Sequence, residues 1–114
     1  MTNSILAAAL MLLETGNRPL VGDHGRAIGP LQVHAEAVAD VNRRFGTRYR
    51  LNEMMDRRKA AAVLNGYLWI YATPARLGRA VTDMDRARIW NGGPSGWRKT
   101  ATLAYAAKFR RAVK

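Results

Sequence analysis

Eight carboxylates stand against 19 Lys and Arg in a chain of 114 residues, so each acid carries information about where chemistry could be done. Glu36 and Asp40 fall off the apolar stripe of a helix, with Asp40 four residues before Arg44, a spacing that suits a solvated ion pair. Glu53, Asp56, Asp83 and Asp85 fall at helix starts, where free backbone amides favour negative charge. Asp23 lies in the glycine-flanked turn Gly22-Asp23-His24-Gly25, where an aspartate accepts hydrogen bonds from its own loop. Glu14 has no such explanation. It follows the apolar run Ile5 to Leu13 directly and precedes a glycine turn, which puts a carboxyl at the inner end of a helix expected to be buried. Lost hydration there favours the protonated form, the property a general acid needs near neutral pH. Position alone leaves two readings open, a proton donor or a helix-end glutamate reaching water.

The other reactive types are few. His34 falls on an apolar stripe and is expected in the core or at a cleft edge, while His24 is expected on a loop surface. With two histidines and no cysteine, neither a zinc site nor a disulfide framework is expected, and no cofactor is implied. Trp69, Tyr67 and Tyr71 share helical spacing and read as core, whereas Trp90 and Trp97 flank a glycine-rich loop and could stack on a ring-shaped ligand.

The elements that must position these groups are mostly helical. Asn3 or Ser4 can cap a first helix that ends near Gly16. Residues 17–29 carry Pro19, Gly22, Gly25 and Gly29 and predict turns or a small β-hairpin. Pro30 suits the first position of a second helix, in which Leu31, His34, Val38, Val41 and Phe45 recur every three or four residues before Gly46. Asp56 is the expected cap of a third helix, apolar on most faces and the most buried element, which stops at Thr73-Pro74. A short helix over 74–77 follows, then a helix opened by the capping-box pair Thr82 and Asp85 and ending at Trp90. The loop Asn91 to Gly96 comes next, and a last helix from about Thr100 to Val113 carries its basic residues late.

Length and composition predict one domain over residues 1–114, with 48% hydrophobic residues to build a core. The longest apolar run is far below the roughly 20 residues a membrane span needs, and no basic residue precedes it as in an export signal. A net charge of +11 predicts attraction to polyanions, but the arginine pairs are dispersed and no recognition-helix pattern is present, which speaks against a dedicated nucleic-acid module.

Four motifs in order carry a resemblance: Glu14-Thr15-Gly16-Asn17, the segment Gly22 to Val33, Ile89-Trp90-Asn91-Gly92-Gly93-Pro94, and Tyr105. Over about residues 4–109 the chain resembles the soluble lytic transglycosylase and goose-type lysozyme superfamily, with Thr15 in place of the usual Ser and Pro30-Leu31 in place of Leu-Met. The resemblance implies a mainly α, α+β lysozyme-like domain with a small insert at 17–29 and a cleft ending in the Gly-rich loop. It implies that Glu14 is the acid, that Thr15, Gln32, Asn91 and Trp90 contact sugar, and that Tyr105 orients Glu14. The expected activity is cleavage of the β-1,4 bond between N-acetylmuramic acid and N-acetylglucosamine by a lytic transglycosylase forming 1,6-anhydro ends. A goose-type muramidase in which Asp23 directs water is the alternative, and a basic nucleic-acid-binding or non-catalytic glycan-binding module is the alternative of another class. Peptidoglycan strands and anionic envelope polymers are the expected partners of a monomer. A bacteriophage lysin or virion component, held in host cytoplasm until lysis, is the expected setting.

Overall fold

The computed structural model describes residues 1–113. Six helices and one two-stranded hairpin surround a single core: α1 (Asn3–Thr15), β1 (Val21–Gly22), β2 (Ala27–Ile28), α2 (Ala35–Phe45), α3 (Arg57–Tyr71), α4 (Pro74–Leu77), α5 (Asp83–Gly92) and α6 (Leu103–Ala112). The chain is therefore mainly helical, as its periodicity predicts, and the only sheet among the described residues is the antiparallel pair β1–β2 in the expected insert, with Val21 opposite Ile28. α3 lies at the centre and packs against α1, α2 and α5, while α6 closes against α1 and α5. Leu10, Leu31, Val33, Met54, Val63, Leu64 and Ile89 have essentially no exposure. Full burial of one such side chain contributes about 1.5–3 kcal/mol, so these residues set the fold. No helix among the described residues is long and apolar enough to cross a membrane.

Several boundaries differ from the sequence expectation for physical reasons. The cap of α1 is Thr2, whose hydroxyl accepts from the Ile5 amide, one residue before the Asn3 or Ser4 expected. α2 does not begin at Pro30. Gln32 takes a left-handed φ of 54° that interrupts any helix there, and Val33 bridges back to Ile28, so residues 29–34 form a turn that brings Leu31 and Val33 inward. The 3–4 spacing of Leu31, His34 and Val38 thus reflects shared burial in part and helix only from Ala35 onward. α5 runs on to Gly92, so Asn91 is helical and not in the loop. α3 is capped by Asp56 as expected, with its carboxylate accepting from the Arg58 and Lys59 amides, but Trp69 on that helix is 69% exposed.

Glu53 pairs with Lys59, Asp83 with Arg86 and the N-terminus, and Asp40 with Arg43 in place of Arg44. Asp85 does more than favour a helix start. Its buried carboxylate accepts two bonds from the Arg79 guanidinium and one from the Thr82 amide, and the Arg79 bonds, the largest influence, hold its pKa down at about 2. Asp85→Ala removes the capping-box bond to the Thr82 amide and leaves Arg79 without its partner. The expected loss is about 2–3 kcal/mol in urea unfolding at pH 7. A depressed carboxyl pKa stabilises above the unfolded value, so the deficit should shrink as pH falls below about 4 towards 2.

Candidate functional site

The end of α1, the hairpin, the turn 29–34, the first turn of α2 and the end of α5 converge on one groove. One cavity of about 230 Å³ is lined by Glu14, Asp23, Ala27, Gln32, His34, Trp90 and Asn91. A second of about 330 Å³ shares Gln32, His34, Trp90 and Asn91 with it and continues past Glu36, Tyr67 and Pro94. Three of the eight carboxylates, Glu14, Asp23 and Glu36, therefore line this groove in a chain of net charge +11, and no Lys or Arg is among the residues that line it.

Glu14 sits where the apolar run of α1 ends and Gly16, at φ 64°, turns the chain away. Burial pushes its carboxyl up to about 7, against the opposing influence of a hydrogen bond from Tyr105 and the charge of Lys108. The Tyr105 hydroxyl, on α6, donates to Glu14 Oε2 at 3.1 Å. Tyr105 itself is raised above its ordinary range, first by burial and then by the nearby Glu14 charge, so it remains a donor at every physiological pH. A carboxyl of this kind is about half protonated near neutrality and can give a hydrogen bond, or a proton, to an oxygen placed in the groove.

The hairpin tip presents Asp23 through a strained backbone. Asp23 and His24 adopt φ values of 49° and 55°, a region that non-glycine residues occupy at a cost. His34 Nε2 stands 3.9 Å from Asp23 Oδ2, with both side chains about half exposed. Gln32 shares the left-handed conformation, and its Nε2 donates to the carbonyls of Leu20 and Gly29, each at 3.0 Å. Those bonds tie the groove wall to the residue before β1 and to the turn after β2. The Gln32 side chain also lies over Gly22, where an added Cβ would stand 2.3 Å from Gln32 Oε1.

Trp90 donates from Nε1 to the Leu31 carbonyl at 3.1 Å and meets Tyr67 edge-on, with ring centroids 5.6 Å apart. That pair forms an apolar floor, next to which Asn91 places its amide. Thr15 takes a different part from the sugar contact expected of it. Its buried hydroxyl can donate to Met11 or Pro30 carbonyls and accepts from the Arg18 amide, so it joins α1 to the turn behind the groove and does not line it. Trp97 likewise lies between the Arg79 and Arg98 guanidinium groups, away from the groove lining. His34 lines the groove at the cleft edge, one of the two places expected of it, and Glu36 and Tyr67 line it without having been singled out. Only the helix start at Ala35 exposes His34 and Glu36, and no sequence pattern marks that start. No cluster of His, Asp and Glu that could hold a metal ion is present among the described residues.

No protein-family model and no curated protein matches the chain. Solved structures do match. A chain in the crystal structure of Aeromonas hydrophila PliI in complex with Meretrix lusoria lysozyme superposes with a TM-score of 0.78 over 93% of this chain and 86% of that one, at 22% identity. At that identity the likeness speaks for the fold alone.

This result corrects the expectation drawn from the ordered motifs. The likeness lies with a complex of PliI and a lysozyme, and neither the soluble lytic transglycosylase nor the goose-type family is matched. The assignments that rested on that resemblance are withdrawn with it: a lytic transglycosylase or goose-type muramidase that cleaves peptidoglycan, and a phage lysin or virion component held in host cytoplasm. A chain from a complex in which two proteins bind one another is as compatible with a binding role as with catalysis, so the fold does not carry an enzyme assignment.

Proposed function

We propose that the groove binds a strand of N-acetylated amino sugars and that protonated Glu14 donates to a sugar oxygen within it. The carrying observation is the Glu14 carboxyl itself, raised to about 7 and held by Tyr105 at the wall of a groove that also offers Asp23, Gln32, Asn91 and the Trp90–Tyr67 floor. Such a groove has what a pyranose chain requires. It offers an apolar surface for ring faces and amide and carboxyl groups for hydroxyl and acetamido substituents. We infer further that the domain, residues 1–114, is lysozyme-like in fold, taking the lysozyme as the member of that complex it resembles. In support, the acid stands at the end of the first helix beside a hairpin and a glycine-rich loop.

The test is a calorimetric titration with tetra-N-acetylchitotetraose from pH 5 to 9. Affinity should fall as pH rises through about 7, where Glu14 loses its proton. Glu14→Gln, whose amide always donates, should bind with little pH dependence. Asn91→Ala should weaken binding about tenfold at every pH, the effect of losing one or two buried hydrogen bonds. Mass spectrometry of the same samples records whether the oligomer stays intact. Wild-type affinity independent of pH would remove Glu14 as the donor.

The complex itself favours a second, protein-binding reading. PliI and the lysozyme bind each other, so a chain with the fold of either is a candidate partner for a protein of the other kind. Size-exclusion chromatography of the chain mixed with a lysozyme, and separately with PliI, tests that reading. Unchanged elution in both mixtures removes it.

A further inference from the structure

A cavity of about 560 Å³ stands apart from the groove. It lies between the start of α1, the second half of α3, the α3–α4 turn and α5, and it is lined by Asn3, Asn65, Trp69, Thr73 and Arg86 around an apolar base of Leu68 and Ala72. Trp69 is 69% exposed there. An indole that the helix could have buried instead stands beside solvent, packed against no other aromatic ring among the described residues. An aromatic side chain set in a concavity among a few convergent polar groups is the usual make-up of a ligand site. The side-chain amides of Asn3 and Asn65 are engaged by no other described residue, and Arg86, which lines the cavity, gives one nitrogen to Asp83.

We propose that this cavity is a second carbohydrate-binding site, in which Trp69 stacks on one pyranose face while Asn3, Asn65 and Arg86 receive its hydroxyl or acetamido groups. The chemistry follows from the lining. A lone exposed indole offers a flat apolar plate of pyranose size, amides both donate and accept, and a single guanidinium already paired with Asp83 suits a polar neutral ligand better than a polyanion, which would need several unpaired cations. Unlike the groove, the cavity contains no carboxylate, so it can hold a sugar but has no group to give it a proton. The inference shares its ligand class with the proposed groove and none of its residues.

The experiment is a two-dimensional NMR titration of indole N–H resonances with tetra-N-acetylchitotetraose, together with pelleting on insoluble chitin. Wild type, Trp69→Ala and Asn91→Ala are compared. The exposed position of Trp69 makes its alanine variant a folding-neutral change, and the missing resonance in that variant assigns the signal. The Trp69 signal should shift on titration in wild type and in Asn91→Ala alike, and Trp69→Ala should lower chitin retention about threefold to tenfold, the worth of one stacked ring. A shifting Trp69 signal with a silent Trp90 signal would support this site while removing the groove reading, and the reverse pattern would remove this site alone. A Trp69 signal that shifts with protein concentration in the absence of sugar would overturn the proposal in favour of a second copy of the chain.

Discussion

Glu14→Gln should make the protein more stable above neutral pH and leave it unchanged in acid. In the native state the carboxyl keeps its proton up to about 7, whereas the same group in an unfolded chain loses it near 4.5. Between those values the folded state holds more protons, so stability falls as pH rises, and the deficit is complete once pH exceeds about 7. A displacement of this size corresponds to about 3 kcal/mol, because one pKa unit is about 1.4 kcal/mol. Glutamine removes the ionisation and can still accept from the Tyr105 hydroxyl. Thermal unfolding should therefore show equal Tm values for the two proteins at pH 4 and a gap of roughly 10 °C in favour of the variant at pH 8. A gap that is the same at both pH values would show that Glu14 is not buried as its surroundings require. The chain thus tolerates a destabilising group at the groove, which is the usual signature of a side chain kept for binding or chemistry.

Much of the site was legible because burial is written in apolar runs. Glu14 stands out by following the apolar run Ile5 to Leu13; Ile5 and Leu12 of that run face solvent, but its buried side, Leu6, Leu10 and Met11, enters the core, and the Glu14 carboxyl is desolvated at its end. The hairpin was legible from Gly22 and Gly25, and the start of α5 from the Thr82 and Asp85 pair, whose reciprocal bonds form as the spacing predicts. Gln32 and Trp69 mark the limits. Gln32 carries a left-handed φ that no sequence pattern announces, since glutamine is indifferent to it locally and only the bonds to Leu20 and Gly29 hold it there. Trp69 shares the hydrophobic stripe logic of its helix, yet α3 is packed on three sides and leaves that one face open. The contact between Tyr105 and Glu14 spans 91 residues, a distance over which local periodicity carries no information.

Gly29→Ala should be the most damaging small substitution near the groove, and comparison with Gly25→Ala shows why. Both glycines have left-handed backbones, with φ of 84° and 88°, so alanine strains each by about 1–2 kcal/mol. At Gly25 nothing lies within 4 Å of an added Cβ, and strain is the whole cost. At Gly29 the same atom would stand 1.8 Å from the carbonyl oxygen of the buried Met54, which is backbone in the turn Leu51–Met55 and cannot rotate aside. Separating them means lifting the 29–34 turn off Met54, which opens the core around Leu31 and Val33. The expected total is at least about 4 kcal/mol in urea unfolding, from strain plus overpacking that the backbone must absorb. Because the same turn holds Gln32 over Gly22, the fraction of Gly29→Ala that remains folded should also bind tetra-N-acetylchitotetraose more weakly than Gly25→Ala. Equal stability of the two variants would mean that the turn does not rest on Met54, and the groove wall would then need a different support.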